Sequence, residues 1–586
     1  MNLSSSKHTT SKLHHHGKSK QYYVIVLVIV VILILLFQFK DSDAPDVVVD
    51  VSERRLEQQN LVQNFVQKEH VDLNEPFELD QRFLHAIRKS QAPPRPKVRF
   101  GGDPRFHGVW GSTGDLSEPW IEEGFEVSRD DTYDVLFSRY TKKKSTKMRE
   151  QEVHNMGVGT RVFSHCHTLL GIAGNKCSFS LYLDAIREEL GEEVMSRALI
   201  KSYVYPHQRA QVLDLLNDSP SWSQGRLIFK SCLGKRGVGL EVVSRVEDLP
   251  TSGFEESSSL AANSESENEE SWATRTVFGR RIKADWMVQP YLYRPLLLEN
   301  RRKFHLRLYV VVNWHPLQVF LYRDGLALFA SETYEPDENI DDEDVLATRR
   351  TMHLTNSAIN MNVHRDDETE PQETMWSVRS LENELGQERF ETIWSEIQNA
   401  ATQLFCNWDS ERTDQDRKRR DTSTVNLFVD AVSPLQRNCF DLYGMDVIIR
   451  DDDVPLVMEL NKMPSLAVKS KTHRDVKVGL MRDVIRTIVN PMLETRRSHS
   501  GGSSQIEASF QSKLDSYLND QSATLSDMSS RLLWMAHEQR ERSKMGNLEL
   551  IYPLVDRLES YHQTCHRLAK ATPLESVHLD FLQKST

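Results

Sequence analysis

Residues 454–466 read VPLVMELNKMPSL, an apolar run that ends on a glutamate and an asparagine two positions apart. In a strand successive side chains alternate faces, so Glu459 and Asn461 point the same way. A carboxylate and an amide oxygen aimed at one point can hold a cation, or can simply mark a hydrated strand end. Just upstream, the stretch 440–461 reads FDLYGMDVIIRDDDVPLVMELN, two β-like runs about the turn RDDD, which is a hairpin signal. In such a hairpin Asp446 lies across from the face that carries Glu459 and Asn461. Two carboxylates and an amide leave the remaining positions of a hard divalent cation to water and phosphate oxygens, which is how Mg2+ is held in phosphoryl-transfer sites.

Two further stretches carry the opposite charge. In FKSCLGKRGVGLEVV (229–243) a strand ends near Lys230, and Gly234, Gly237 and Gly239 then alternate with Lys235 and Arg236. Glycines allow close backbone approach, so this loop can fold over phosphates, or it can be an ordinary glycine-rich turn. It lacks the G-x-x-x-x-G-K-[ST] spacing and so is not a P-loop. In RRKFHLRLYVVVN and the following LYRDG, Lys303, His305 and Arg307 share one strand face and Arg323 closes the next strand. Cations among valines and leucines cost desolvation unless an anion meets them. A phosphate or carboxylate would be that anion; charges on an exposed edge strand are the alternative. MHLTNSAIN (352–360) adds His353, Thr355 and Asn356 after an apolar approach.

The elements that must position these groups are legible in outline. A chain of 586 residues is too long for one core, so two or three folded units plus tails are expected. A net charge of −12 argues against generic nucleic-acid binding. From about 98 to 497 short β-rich runs alternate with helical stretches, as in an α/β or α+β body. RLIFKS (226–231), KADWMVQPYLY (283–293), FHLRLYVVVN (304–313) and LQVFLYRD (317–324) read as strands; 180–194 and 389–408 read as helices. Polar inserts at 255–271, 335–345 and 409–421 read as solvated loops. Beyond the linker at 498–505, apolar residues at helical intervals predict a helical extension to the end of the chain. The six cysteines are scattered without a C-x-x-C pair, which gives no hint of a disulfide framework and leans towards a reducing compartment.

Residues 1–21 read as a disordered basic tail and Tyr22–Phe39 as an uncharged apolar span. As a helix that span would cover about 27 Å at 1.5 Å per residue, close to the ~30 Å core of a bilayer. A single-pass membrane protein is therefore expected, anchored to the membrane by this helix, with a stalk and Pro-rich linker over 40–97. Lys7, Lys12, Lys18 and Lys20 before the span lean towards a cytosolic N-terminus.

The order of the motifs is more telling than any one of them: glycine-rich loop, a strand ending MVQPYL, a cationic strand pair, then a carboxylate hairpin. With HCHTLLGIAGNKCSFSLYL, KSYVYP, FLYRDGLALFASETY, HLTNSAI and YGMDVII…VMELNKMPSL, the sequence resembles the tubulin–tyrosine ligase-like family of ATP-grasp ligases from about Arg161 to Asn490. The resemblance implies an α+β fold, an ATP-grasp body over 98–497, flanked here by the N-terminal transmembrane helix and a C-terminal helical extension over 498–586. It implies ATP and Mg2+ as cofactors. Lys176, Lys230, Gly234, Lys235, Gly237 and Gly239 would contact the ATP phosphates, Gln289 and Leu292 the adenine, and Thr355 and Asn356 would sit near the nucleotide. Lys303, Arg307 and Arg323 would handle the γ-phosphate and the reacting carboxylate, and Asp446, Glu459 and Asn461 would bind Mg2+.

Two positions depart from the family pattern. His305 stands where the family usually has Asp, and Pro290 follows Gln289 where a basic residue is common. The ending N-x-x-PSL followed by D-x-x-VK is similar to that of the glutamylating and glycylating branches. The implied activity is therefore addition of free glutamate to glutamate side chains of acidic tubulin tails through an acyl phosphate. The alternatives are a glycine- or tyrosine-adding ligase, or an inactive membrane-anchored tubulin-binding protein. Tubulin chemistry asks for a cytosolic body, against the lysine count. Basic runs at 141–147, 280–281 and 417–420 are candidates for meeting acidic tails.

Overall fold

The chain builds its first layer from short apolar runs. Strands β1 (Lys97–Gly101), β2 (Glu126–Val127), β3 (Val135–Ser138) and β4 (Val162–Ser164) lie parallel in the order β4-β3-β1-β2, and α1 (Thr113–Glu122) buries Trp120 beside Phe137. The computed structural model describes residues 95–101, 113–128, 133–138, 162–164, 173–234, 239–250, 274–277, 280–335, 350–355, 374–408, 438–462, 464–468, 470–497, 505–520, 525, 527–565 and 573–584. All but Arg95 belong to the unit that begins at Pro96.

Helix α2 (Lys176–Leu190) opens a second layer. Its N-terminus is capped by Asn175, whose side chain accepts from the N–H groups of Cys177 and Ser178 at 2.9 and 3.2 Å. There follow β5 (Tyr203–Pro206), α3 (Arg209–Asn217), β6 (Leu227–Ser231), β7 (Leu240–Val243), β8 (Thr274–Val277) and β9 (Arg280–Pro290). These strands pair antiparallel in the order β5-β9-β6-β7, with β8 also on β9.

The third part is the long hairpin of β10 (Arg302–Trp314) and β11 (Leu317–Thr333). Its two faces have different jobs. Phe304, Leu306, Leu308 and Val310 enter the larger hydrophobic core, whereas Lys303, His305, Arg307 and Tyr309 line a cleft, as period-two alternation requires. Next come α4 (Arg350–His353), β12 (Met375–Ser377), α5 (Val378–Leu385) and α6 (Gln387–Cys406). Helix α6 covers the apolar face: Phe390, Ile393, Trp394, Ile397, Ala401 and Leu404 recur at three- and four-residue steps and are all buried in that core.

The hairpin β13 (Cys439–Ile449) and β14 (Pro455–Lys462) joins the layers. One edge of β13 pairs with β10; the other pairs with β4 at Cys439–Phe440 and with β14 from Tyr443 onward. Helix α7 (Lys471–Val484) runs through a π-turn into α8 (Asn490–Arg497), followed by α9 (Gln505–Asp520) and α10 (Asp527–Ser543). The segment expected to be helical throughout also contributes β15 (Leu548–Tyr552), which pairs with β11, before α11 (Leu558–Thr564) and α12 (Pro573–Lys584). Its helices are bonded into the sheet as well: Asn313 Nδ2 donates to Gln539 Oε1 at 2.9 Å and Gln318 Nε2 to the Ala536 carbonyl at 2.9 Å. The alternating hydrophobicity of Leu548–Tyr552 is too short to be told from a helix turn by sequence.

Two expectations are corrected. Among the described residues no helix is long and apolar enough to cross a membrane, so the expected single-pass membrane protein is not what the structure displays. The long apolar runs of the described body are strands, and its helices carry a polar face, as α6 does. Tyr22–Phe39, on which that expectation rested, lies outside the described residues, as do the stalk, the basic runs at 141–147 and 417–420, and most of the three polar inserts. Second, the cysteines are paired. Cys177 is bonded to Cys232 and Cys406 to Cys565, with Cα–Cα distances of 5.1 and 5.4 Å, Cys439 is also in a disulfide, and none of the described cysteines is free. The pairs are 55 and 159 residues apart in sequence, so only the fold reveals them. The pairing removes the ground for the reducing compartment inferred from their scatter.

Candidate active site

The centre of the cleft is a row of charges across three strands. Arg307 on β10 stands opposite Asp446 on β13, and Asp446 stands opposite Glu459 on β14. Arg307 grips Asp446 with two bonds, one through Nε and one from Nη2 to Oδ2 at 2.8 Å. The Asn461 amide, opposite Gly444, donates to Asp446 Oδ2 at 3.2 Å and to Glu459 Oε1 at 3.1 Å. Gly444 is small for a reason: a Cβ there would meet Pro464 Cβ at 3.0 Å and Arg307 Cδ at 3.2 Å.

Lysines close the other side. Lys176, at the start of α2, donates to the Gly234 carbonyl at 2.6 Å and reaches Glu459 Oε2 at 3.5 Å. Lys230, near the end of β6, is buried and donates to Gln289 Oε1 at 2.8 Å, while Gln289 Nε2 donates to the Met458 carbonyl at 3.3 Å. Burial lowers the Lys230 amine to about 8, with Glu459 pulling the other way. Burial also pushes the Glu459 carboxyl up, but Lys176, Lys230 and Arg307 outweigh it and hold the group below the usual carboxylate range. Glu459 is therefore an anion surrounded by cations, ionised at neutral pH.

Lys303 is 3% exposed and donates to the Leu292 carbonyl at 2.9 Å and the Tyr291 hydroxyl at 3.1 Å. Its ammonium also lies 4.3 Å from the Tyr291 ring centroid. Burial, reinforced by Lys230, brings its amine down to about 7. His305 makes a 2.5 Å hydrogen bond through Nδ1 with the Thr355 hydroxyl, and burial lowers its imidazole to about 4, so it is neutral at physiological pH. These residues bound a cleft of about 670 Å³ that also includes Lys176, Gly234, Gly239, Leu292 and Thr355, within the size range of small-molecule sites.

The cleft does not collect every expected residue. Arg323 is on the opposite face of the sheet, over the Phe390 and Trp394 rings and in ion pairs with Glu382, Glu391 and Glu549. An irregularity in the β10–β11 pairing between Leu308 and Val310 falls beside it, so its face cannot be counted from the strand period alone. Lys235, Gly237 and Asn356 lie outside the described residues, and the side chains at 280–281 are likewise not described. Conversely, the cleft includes His473 and Lys477 from α7, both buried, with Lys477 Nζ donating to the Ala467 carbonyl at 2.7 Å. Their four-residue spacing on a helix directly after the metal-type hairpin is the signal that could have found them.

In this α+β body four cations, Lys176, Lys230, Lys303 and Arg307, and two facing carboxylates meet in one cleft. The chain belongs to the tubulin-tyrosine ligase family, whose sequence profile matches residues 173–497, more than half of its length. It is 27% identical to tubulin polyglutamylase ttll-4 of Caenorhabditis elegans over 288 residues, 48% of this chain and 39% of that one. It is 27% identical to tubulin monoglutamylase TTLL4 of Mus musculus over 45% of this chain and 18% of that one, and 26% identical to tubulin polyglutamylase TTLL7 of Homo sapiens over 47% and 32%. The matches thus span well under half the length of these relatives. A looser likeness, with a TM-score of 0.41 at 18% identity, is to the C-terminal domain of K. lactis Pby1, an ATP-grasp enzyme interacting with the mRNA decapping enzyme Dcp2; it covers 68% of this chain and 95% of that one.

Proposed function

We propose that the chain is an ATP- and Mg2+-dependent ligase that adds glutamate to glutamate side chains of an acidic protein tail, with tubulin tails as the acceptor that the relatives' names suggest. The observation that carries the reading is the meeting of Lys176, Lys230, Lys303 and Arg307 with Asp446, Glu459 and Asn461 in one cleft. The donor set would suit Mg2+: two facing carboxylates, joined by the Asn461 oxygen once its amide turns from the carboxylates to which it donates, too few to saturate the ion without phosphate and water. Bound there, Mg2+ would neutralise charge on the phosphate oxygens.

The residues' own work is positioning and charge neutralisation. Lys176 and Lys230, with the backbone of Gly234 and Gly239, would hold the phosphate chain, and Gln289 fixes Lys230 in place. Lys303 and Arg307 would hold the γ-phosphoryl group against the acceptor carboxylate. A carboxylate oxygen takes the γ-phosphoryl group from ATP, giving an acyl phosphate and ADP. The amine of the incoming glutamate, having lost a proton, attacks the carbonyl carbon; phosphate leaves and an amide remains. Lys477, buried in the lining of the same cleft, would meet a carboxylate of the amino acid. The PSL ending after Asn461 favours glutamate over tyrosine.

The test is incorporation of labelled glutamate that requires both ATP and Mg2+ and is lost in Glu459→Gln. A Glu459→Gln protein that incorporates at the wild-type rate removes that residue from the site. Incorporation of glycine or tyrosine but not glutamate moves the reading to another branch. A second reading, a binding protein without catalysis, is favoured by His305 in the place of the family Asp. It predicts no detectable ATP binding, co-sedimentation with microtubules, and activity gained in His305→Asp.

A further inference from the structure

Lys176 touches both halves of the cleft, and the residue after it is cross-linked. The start of α2 and the segment before it are bonded to β14, through Lys462 N–H to the Ala173 carbonyl at 3.3 Å and Lys176 Nζ to Glu459 at 3.5 Å. They are bonded equally to the end of β6. Lys176 N–H donates to the Cys232 carbonyl at 3.1 Å, and Cys177 is disulfide-linked to Cys232 itself. Cys232 is two residues from Lys230 and two from Gly234, whose carbonyl accepts from Lys176 Nζ. Its own N–H donates to the Asp285 carbonyl on β9 at 2.8 Å, which fixes it to the smaller sheet. The sulfurs are sealed among Val204, Ile282, Ala284 and Met287, with both cysteines at most 1% exposed.

The cross-link therefore does more than join two elements. A lysine side chain has about four rotatable bonds, and holding its ammonium at one point depends on where its Cα is fixed. Here the Cα of Lys176 is tied covalently, one residue away, to the chain that forms the phosphate-type loop. The disulfide Cys406–Cys565 is the natural contrast, because it links α6 to the end of α11 and none of its neighbours line the cleft.

We propose that the Cys177–Cys232 disulfide is a positioning element of the nucleotide cleft, which registers Lys176 against the Gly234 loop and Glu459, so that tight ATP binding belongs to the cross-linked protein. This rests on the reading of the cleft as an ATP site. Cys177 and Cys232 touch no substrate; they act through Lys176.

The experiment uses the full chain. Peptide mapping under non-reducing conditions with thiol alkylation finds Cys177 joined to Cys232; alkylated free thiols at both positions overturn the proposal. Calorimetric titration with Mg-ATP, together with glutamate-incorporation kinetics, is then run on wild type, Cys177→Ala/Cys232→Ala and Cys406→Ala/Cys565→Ala. The first variant raises the Kd and KM for ATP about tenfold, the scale of one charged hydrogen bond lost, with kcat within twofold. The second lowers Tm and leaves both constants unchanged. Lys176→Met weakens ATP binding in wild type and adds little in the Cys177→Ala/Cys232→Ala background, an outcome that general loosening would not give. Unchanged ATP affinity in Cys177→Ala/Cys232→Ala, or equal loss in both cysteine variants, overturns the proposal. Should that variant fail to fold, Cys177→Ala/Cys232→Val, which refills the apolar pocket the sulfurs occupy, reports the same change in affinity. Wild type that binds no Mg-ATP removes the ATP-site reading itself, which distinguishes the two failures.

Discussion

Asp446 and Glu459 stand directly opposite each other on β13 and β14, one gripped by Arg307 and the other reached by Lys176 at 3.5 Å. Each carboxylate thus has its own cation, and the amide of Asn461 bridges the two. Glu459→Gln keeps the shape and removes the charge. It is expected to lower the rate of glutamate incorporation about a hundredfold or more, the scale of losing one preorganised electrostatic contact at a reacting centre. The same variant should need more Mg2+ for half-maximal rate. Steady-state rates against Mg2+ concentration check both.

Lys303 gives the site a pH signature. Facing Lys230 and the rings of Tyr291 and Tyr334, its amine is lowered to about 7 by burial first and Lys230 second. Phosphate arriving beside it favours the ammonium, so the bound-state value is higher than the free one. ATP affinity is then fully present below about pH 7 and weakens as pH rises from there towards the bound-state value. Binding at pH 8 takes up protons. Calorimetry of Mg-ATP binding at pH 8 in two buffers of different ionisation enthalpy should differ by that uptake, and Lys303→Met should abolish its share.

Much of the central architecture was legible because it alternates. In Lys303–Phe304–His305–Leu306–Arg307–Leu308 every second side chain is charged or polar, and the two faces go to cleft and core as that pattern dictates. The hairpin about RDDD, and the helix ending near Cys406, were readable on the same grounds. What the sequence hid depends on contacts between distant segments. Arg323 lies beside the pairing irregularity that follows Leu308, and its partners Glu382, Glu391 and Glu549 come from three other elements. The disulfide partners are 55 and 159 residues apart. Strand β15 needs β11 beside it to be a strand at all.

Arg323 carries a prediction opposite to the one the family resemblance implied. Its guanidinium meets Glu382 at 3.0 Å and Glu549 at 3.5 Å, and Glu391 as well, over the Phe390 and Trp394 rings. Arg323→Met leaves three carboxylates together without their shared cation. The side chains are partly exposed, so the loss is expected at about 1–2 kcal/mol rather than the larger value of a buried pair. It should appear as a lower midpoint in urea, with ATP KM and kcat unchanged at temperatures where the protein is folded.

Gly444 tests the packing behind the charges. It sits opposite Asn461 on β14 and opposite Tyr309 on β10, and a Cβ there would meet Pro464 Cβ at 3.0 Å and Arg307 Cδ at 3.2 Å. Pro464 follows the Glu459–Asn461 strand end and its Cβ is held in a ring, whereas the Arg307 Cδ is on a flexible side chain, so Arg307 is the neighbour that gives way. Displaced by a few tenths of an ångström, its guanidinium no longer meets both oxygens of Asp446, and the row from Arg307 to Glu459 loses its register. Gly444→Ala is therefore expected to cost about 1–3 kcal/mol of stability through overpacking. It should lower kcat by more than it raises ATP KM, because Lys176 and Lys230 are untouched. Gly444→Ala with a wild-type kcat would mean that the Arg307–Asp446 alignment is not needed for turnover.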